Sequence, residues 1–297
     1  MSKKWLKVAL MVTAIATGTS IQVDAETVLY VPQDDRPVSL QYTVDTAKAA
    51  GMTVLTPPQN LISGKTYKGQ ADQIWNWVEQ NAGRADVMVL STDTLIYGGL
   101  VDSRKHNLPL STLENRLKRI EALKANHKNT RIYGFGTVMR SPRASGGGTE
   151  PSYYADYGPT IFQIAALQDK LDAGTLTQAE TQKLMSLQAS VPIEYLQDWF
   201  SRRQKNMQVN KDLIDEARNG VFSYFALGHD DTSQLSQSAL EGRYLNQYSK
   251  GIPRTQYGSF PGADQLGLLL MARSRTDESS EKPTFSVIYP LGGAGKT

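Results

Sequence analysis

The chain has 297 residues, with 32 Lys and Arg against 29 Asp and Glu, and no cysteine. At about 100–200 residues per domain it forms one large domain or two small ones, long enough to bury a core without staples. Zero cysteine excludes a disulfide framework, a thiolate metal site, a cysteine nucleophile and an amino-terminal lipid-modified cysteine, and a net charge of +3 lacks the footprint of a nucleic-acid binder.

Part of that charge belongs to an address. MSKKWLK is a positive leader, Val8 to Gly18 is apolar and uncharged, and Val23 and Ala25 place small residues at −3 and −1 before Glu26. This three-part pattern predicts a signal peptide over 1–25, cleaved near Ala25, and a secreted or periplasmic mature chain. The apolar run is shorter than the ~20 residues of a membrane span, so no stable span is expected after cleavage.

In the mature chain, Thr27–Val31 predicts a strand and Val38–Ala50 a helix stopped by Gly51. Strands are expected at Met52–Leu55, Ala85–Leu90 and Arg131–Phe135, with helices at Gln70–Asn81 and Ser111–Ala125. Ser111 with Glu114 reads as a capping box. Ser141–Gly158 reads as a loop. Ile161–Ala189 predicts two helices broken near Gly174, the second capped by Thr177, and Pro192 opens a third that ends at Asn219-Gly220. Strands follow at Val221–Leu227, Thr255–Ser259 and Thr284–Tyr289, with helices at Leu235–Gln247 and Asp264–Arg273.

Strands alternating with helices indicate an α/β fold with a mostly parallel sheet of repeated βα units. The number of units favours a TIM-barrel-like, truncated sheet, with an open doubly wound sheet as the alternative. Gly292–Thr297 follows a strand with no crossover behind it. Residues 26–297 therefore read as a single α/β domain, incomplete at its carboxyl end, with a helical insertion at about 159–219. Such a chain, expressed without residues 1–25, is expected to be poorly soluble.

In a parallel sheet every strand's carboxyl end lies on one edge, and ligands bind there. Polar residues follow the strands: Gln33-Asp34-Asp35-Arg36, then Asp93, Tyr97 and Arg104, then Arg140, then His229-Asp230-Asp231, and finally Asp264 at a helix start. A lone Asp at a strand end is often only a cap or an Asx-turn. Two Asp-Asp pairs are different, because adjacent carboxylates repel and need a cation or a shared proton nearby. Tyr153, Tyr154 and Tyr157 add rings that could stack on a sugar. His106 and His127 read as surface residues. Gly295-Lys296-Thr297 is no phosphate loop, since Pro290 stands where Gly is needed, and Met139 breaks a dinucleotide fingerprint after Gly134 and Gly136.

VPQDDRPVS (31–39), STDTLIYGGLVDSR (91–104), GTVMRSP (136–142), LGHDDT (227–232) and FPGADQLGLLLMAR (260–273) together resemble an uncharacterised bacterial family, domain of unknown function 4127. The resemblance spans roughly 27–290 and implies a longer family domain, but it implies no activity. It does not require histidine at 229, which leaves His229 outside the catalytic set.

The expected function is an exported carbohydrate-active hydrolase. Asp34, Asp35, Asp230 and Asp231 would be its acid–base or orienting carboxylates, and Arg36, Asp93, Tyr97, Arg104, Arg140 and Asp264 would bind substrate. The alternatives are a non-catalytic envelope binding protein for a sugar-like polar ligand and a metal-dependent hydrolase. No cofactor is expected, no ligand spacing matches a metal motif, and no nucleic-acid partner is expected. The partner is a small-molecule or glycan ligand, and the oligomeric state is left open.

Overall fold

The computed structural model describes residues 25–144, 147–231 and 233–279, with 284 and 286. The expected signal segment up to Asp24, and the last expected strand apart from Thr284 and Ser286, lie outside the described residues. Among the described residues no helix is long and apolar enough to cross a membrane.

Six strands, β1 (Thr27–Val31), β2 (Thr53–Leu55), β3 (Val87–Ser91), β4 (Arg131–Val138), β5 (Tyr224–His229) and β6 (Tyr257–Pro261), form one sheet. Its order is β2-β1-β3-β4-β5-β6 and every pair is parallel. The sheet does not close among the described residues: β2 and β6 are its edges, and the barrel-like expectation gives way to the open doubly wound one. Local periodicity is the same in both cases, because an inner strand is covered on both faces either way.

The helices are α1 (Gln41–Ala49), α2 (Ala71–Asn81), α3 (Thr92–Tyr97), α4 (Leu100–Lys105), α5 (Leu110–Asn126), α6 (Tyr154–Asp172), α7 (Gln178–Ser190), α8 (Ile193–Arg218), α9 (Gln237–Tyr248) and α10 (Leu266–Glu278). β3 shows why its stretch from Val87 to Leu90 is wholly apolar. Met88 and Leu90 pack into one core with Trp75 and Val78 of α2, Leu117 of α5 and Leu213 of α8. Val87 and Val89 pack into the other with Ala47 of α1 and Leu270 of α10.

Between β4 and β5, α6 to α8 make a third core in which Tyr154, Ile161, Leu184 and Trp199 are buried. The long α8 serves two cores, since Val209, Leu213 and Ile214 further along it pack on the sheet. α6 begins at Tyr154, inside the stretch expected to be loop, because the Tyr154 ring is buried against Trp199 at 4.6 Å between centroids. Thr177 and Glu180 form the expected cap of α7. Ser111 does not cap α5: the helix starts at Leu110, after Pro109 with its φ fixed at −60°.

Candidate ligand site at the sheet edge

β1 leads to β2 on one side and β3 pairs with β1 on the other, so the strand order reverses between β1 and β3. In an open α/β sheet the crevice outside the carboxyl ends at such a reversal is the usual ligand seat. Gln33 follows β1 there and Asp93 follows β3.

The segment after β3 is fixed by its own hydroxyls. Ser91 Oγ accepts from Thr94 N at 3.3 Å and caps α3, Thr92 Oγ1 donates to Phe135 O at 3.0 Å, and Thr94 Oγ1 donates to Pro32 O at 2.6 Å. The three contacts lock the ends of β1, β3 and β4 together. Asp93 is thereby buried, with Oδ2 accepting from Gln33 Nε2 at 3.2 Å and from Thr137 Oγ1 at 2.8 Å. Burial pushes its carboxyl up to about 6, against the hydrogen bonds from Thr137 and Gln33 and the charge of Arg104, which favour the anion.

The expected catalytic residues are each engaged by a different partner. Asp34 accepts from Arg36 Nε at 2.7 Å, and Arg36 Nη2 reaches on to Asp264 Oδ1 at 2.7 Å. Asp264 thus binds Arg36 across the edge instead of capping α10, whose first residue is Leu266. Asp35 accepts from the Tyr67 hydroxyl. Asp230 is paired with Arg104. Asp231 closes a turn, its Oδ1 accepting from Ser233 N at 2.9 Å, while its Oδ2 is buried with no hydrogen-bond partner among the described residues.

Of the expected substrate-binding set, Arg104 is buried, and burial lowers its pKa against the pull of Asp230, Glu150 and Asp93. Its Nη1 lies 4.0 Å from Glu150 Oε1. Arg140 donates through Nε to the same oxygen at 2.7 Å. Tyr97 is buried, its ring stacked on His106 at 4.9 Å. His106 is therefore no surface residue: it is buried, its Nε2 lies 2.7 Å from Asn206 Oδ1, and burial pushes its pKa down to about 4. His229 is half-buried, with Nε2 2.7 Å from Ser259 Oγ, and burial lowers its pKa. Tyr153 donates to Asp198 of α8 at 2.6 Å and Tyr154 to Pro142 O, in the loop after β4, at 2.7 Å, so both hydroxyls are engaged within the chain.

Gln33 and Thr137 stand inside the quoted motifs but carry no role signal by type, and Glu150 lies in the stretch expected to be loop. Sequence reasoning missed Arg203 and Glu241. Arg203 of α8 donates to Glu241 of α9 at 2.8 and 2.7 Å and to the carbonyls of Met139 and Arg140 at 2.7 and 2.9 Å. This buried fork holds the chain that leaves β4, and with it Arg140. In the sequence it is one arginine of a charged helical run.

Among the described residues no group of three or more His, Asp or Glu is placed to hold a metal ion. The arrangement can bind a polar ligand by charge-assisted hydrogen bonds and can move one proton, at Asp93.

No curated protein matches the chain. The family described as "Protein of unknown function (DUF4127)" matches residues 28–297, nearly its whole length, and the chain belongs to that family.

Proposed function

We propose that the protein is an exported hydrolase of a polar, glycan-type substrate, with Asp93 as its general acid. The observation that carries this reading is the raised carboxyl of Asp93 at the strand-order reversal. A buried acid near 6 still holds its proton in a useful fraction at neutral pH and can give it to a leaving oxygen. Asp34 and Asp230 are each held by an arginine, so they orient Arg36 and Arg104 and do not transfer protons. We assign Asp231, one of whose buried oxygens has no hydrogen-bond partner among the described residues, as the second carboxylate that glycoside cleavage requires. Gln33 donates to Asp93, yet its own Oε1 is buried with no hydrogen-bond partner among the described residues. A ligand hydroxyl donating to that oxygen would satisfy it and draw the amide away from Asp93.

The test is release of sugar or aryl alcohol from aryl glycosides, peptidoglycan and mucin glycans by the full chain. Turnover that Asp93→Asn lowers by about 10²–10⁴ supports the reading; folded protein that releases nothing from any of them overturns it.

The ion pairs favour a second reading, a binding protein that holds the same ligand without turnover. In that case Asp93→Asn binds as the wild type does and neither protein cleaves.

A further inference from the structure

We infer that the cavity outside the end of β2 is a second ligand site, a subsite for a sugar ring next to the Asp93 edge. It measures about 640 Å³ and lies between α1, the segment after β2, and α2. That is within the ~300–1,000 Å³ of small-molecule pockets. Its walls include the apolar surfaces of Pro57 and Trp77, with Asp35, Gln41, Thr56 and Gln59 around them. A pyranose has the matching chemistry, a C–H face for an indole and a rim of hydroxyls for carboxylate, amide and hydroxyl groups. A purely apolar ligand would leave those four polar side chains desolvated and unpaired.

The two tryptophans of α2 differ in how they are placed. Trp75 is fully buried and donates through Nε1 to Leu95 O at 2.8 Å. Trp77, two residues on, is half-buried and lines the cavity. Asp35 is held at the cavity by its backbone N, which donates to Ser63 O at 2.9 Å, and by the Tyr67 hydroxyl on its carboxylate. It stands two residues beyond Gln33, which binds Asp93, so one loop serves both places. Asp35 is accordingly a binding residue and not an acid or base. The inference rests on the edge being a glycan cleft, but its readout is binding and needs no turnover.

The experiment is an isothermal titration calorimetry measurement of the full chain with chitotetraose and with cellotetraose. The expected result is a saturable heat change with at least one of them. Trp77→Leu should abolish it or weaken it about tenfold or more, the size of a lost sugar–aromatic contact. Gln59→Ala, an exposed position, should weaken it too and gives the answer if Trp77→Leu fails to fold. Three results overturn the inference: no saturation with either sugar up to about 10 mM, saturation unchanged in Trp77→Leu and Gln59→Ala, or the same Trp77-dependent change with a proline decamer in place of sugar. Any of these leaves the hydrolysis test of Asp93 standing, and a lack of hydrolysis leaves this titration standing.

Discussion

The side-chain amide of Gln33 donates to Asp93 Oδ2 over 3.2 Å, joining residues 60 positions apart at the ends of neighbouring strands. This bond, with the one from Thr137 at 2.8 Å, only partly offsets the cost of burying a carboxylate. The residual cost sets a pH dependence. Between the ordinary 3.8 and about 6, the native state keeps a proton that the unfolded chain has lost. Stability from this group therefore falls as pH rises through that window, by about 3 kcal/mol in all. Asp93→Asn carries no titrating proton. Its stability relative to the wild type, from urea melts at pH 4 and pH 7, should rise by about that amount, and a difference that does not change with pH would refute the assignment.

His106 has the opposite slope. Burial holds it near 4, against an ordinary 6.5, so the native ring stays neutral while the unfolded one gains a proton as pH falls. Stability from this group is complete above 6.5 and is lost between there and about 4, by about 3 kcal/mol. His106→Asn should lessen the acid-induced loss over that interval, measured as the difference between the two proteins' melts.

Arg203→Met removes one partner of a buried ion pair and leaves Glu241 with the carbonyls of Met139 and Arg140 short of a donor. A loss of about 3–5 kcal/mol is expected. Arg203→Met with Glu241→Leu should recover much of it, because the uncompensated charge goes too. A double mutant as weak as the single one would mean that the carbonyl contacts dominate.

Gly69→Ala places a methyl inside the contact radius of the Gly98 carbonyl oxygen, which is backbone and cannot rotate away. Gly69 N also donates to Asp102 Oδ2 at 3.0 Å, so a shift of the loop breaks a second contact. The expected cost is about 1–3 kcal/mol, checked by thermal melting beside Gly83→Ala, where no atom lies within 4 Å of the added carbon.

The inner strands were legible because burial on both faces favours apolar runs, as in β3 from Val87 to Leu90. Sheet closure was not legible, since it depends on which strands lie beside β2 and β6, a relation between segments far apart. The edge motifs could be read for a topological reason: parallel strands bring all their carboxyl ends to one side. Which carboxylates are engaged could not be read. The partner of Asp230 is 126 residues away and that of Asp264 is 228 away. His106 misled because the residues around it are polar, and only the fold stacks it on Tyr97.

The bond between Arg36 and Asp264 has a consequence for synthesis. The first loop of the sheet edge meets its partner only after 228 further residues exist, about 11–46 s later at ~5–20 residues per second. The same delay applies to one face of β1, where Val28 and Tyr30 pack with Leu266, Leu270 and Met271. Until α10 emerges, that face of an inner strand has nothing from α10 to cover it. The nascent protein thus carries this face with only part of its final cover, Val44, Ala47 and Met52, for most of its making, and a chaperone that shields β1 early should raise the yield of folded protein more than one that acts on the finished chain.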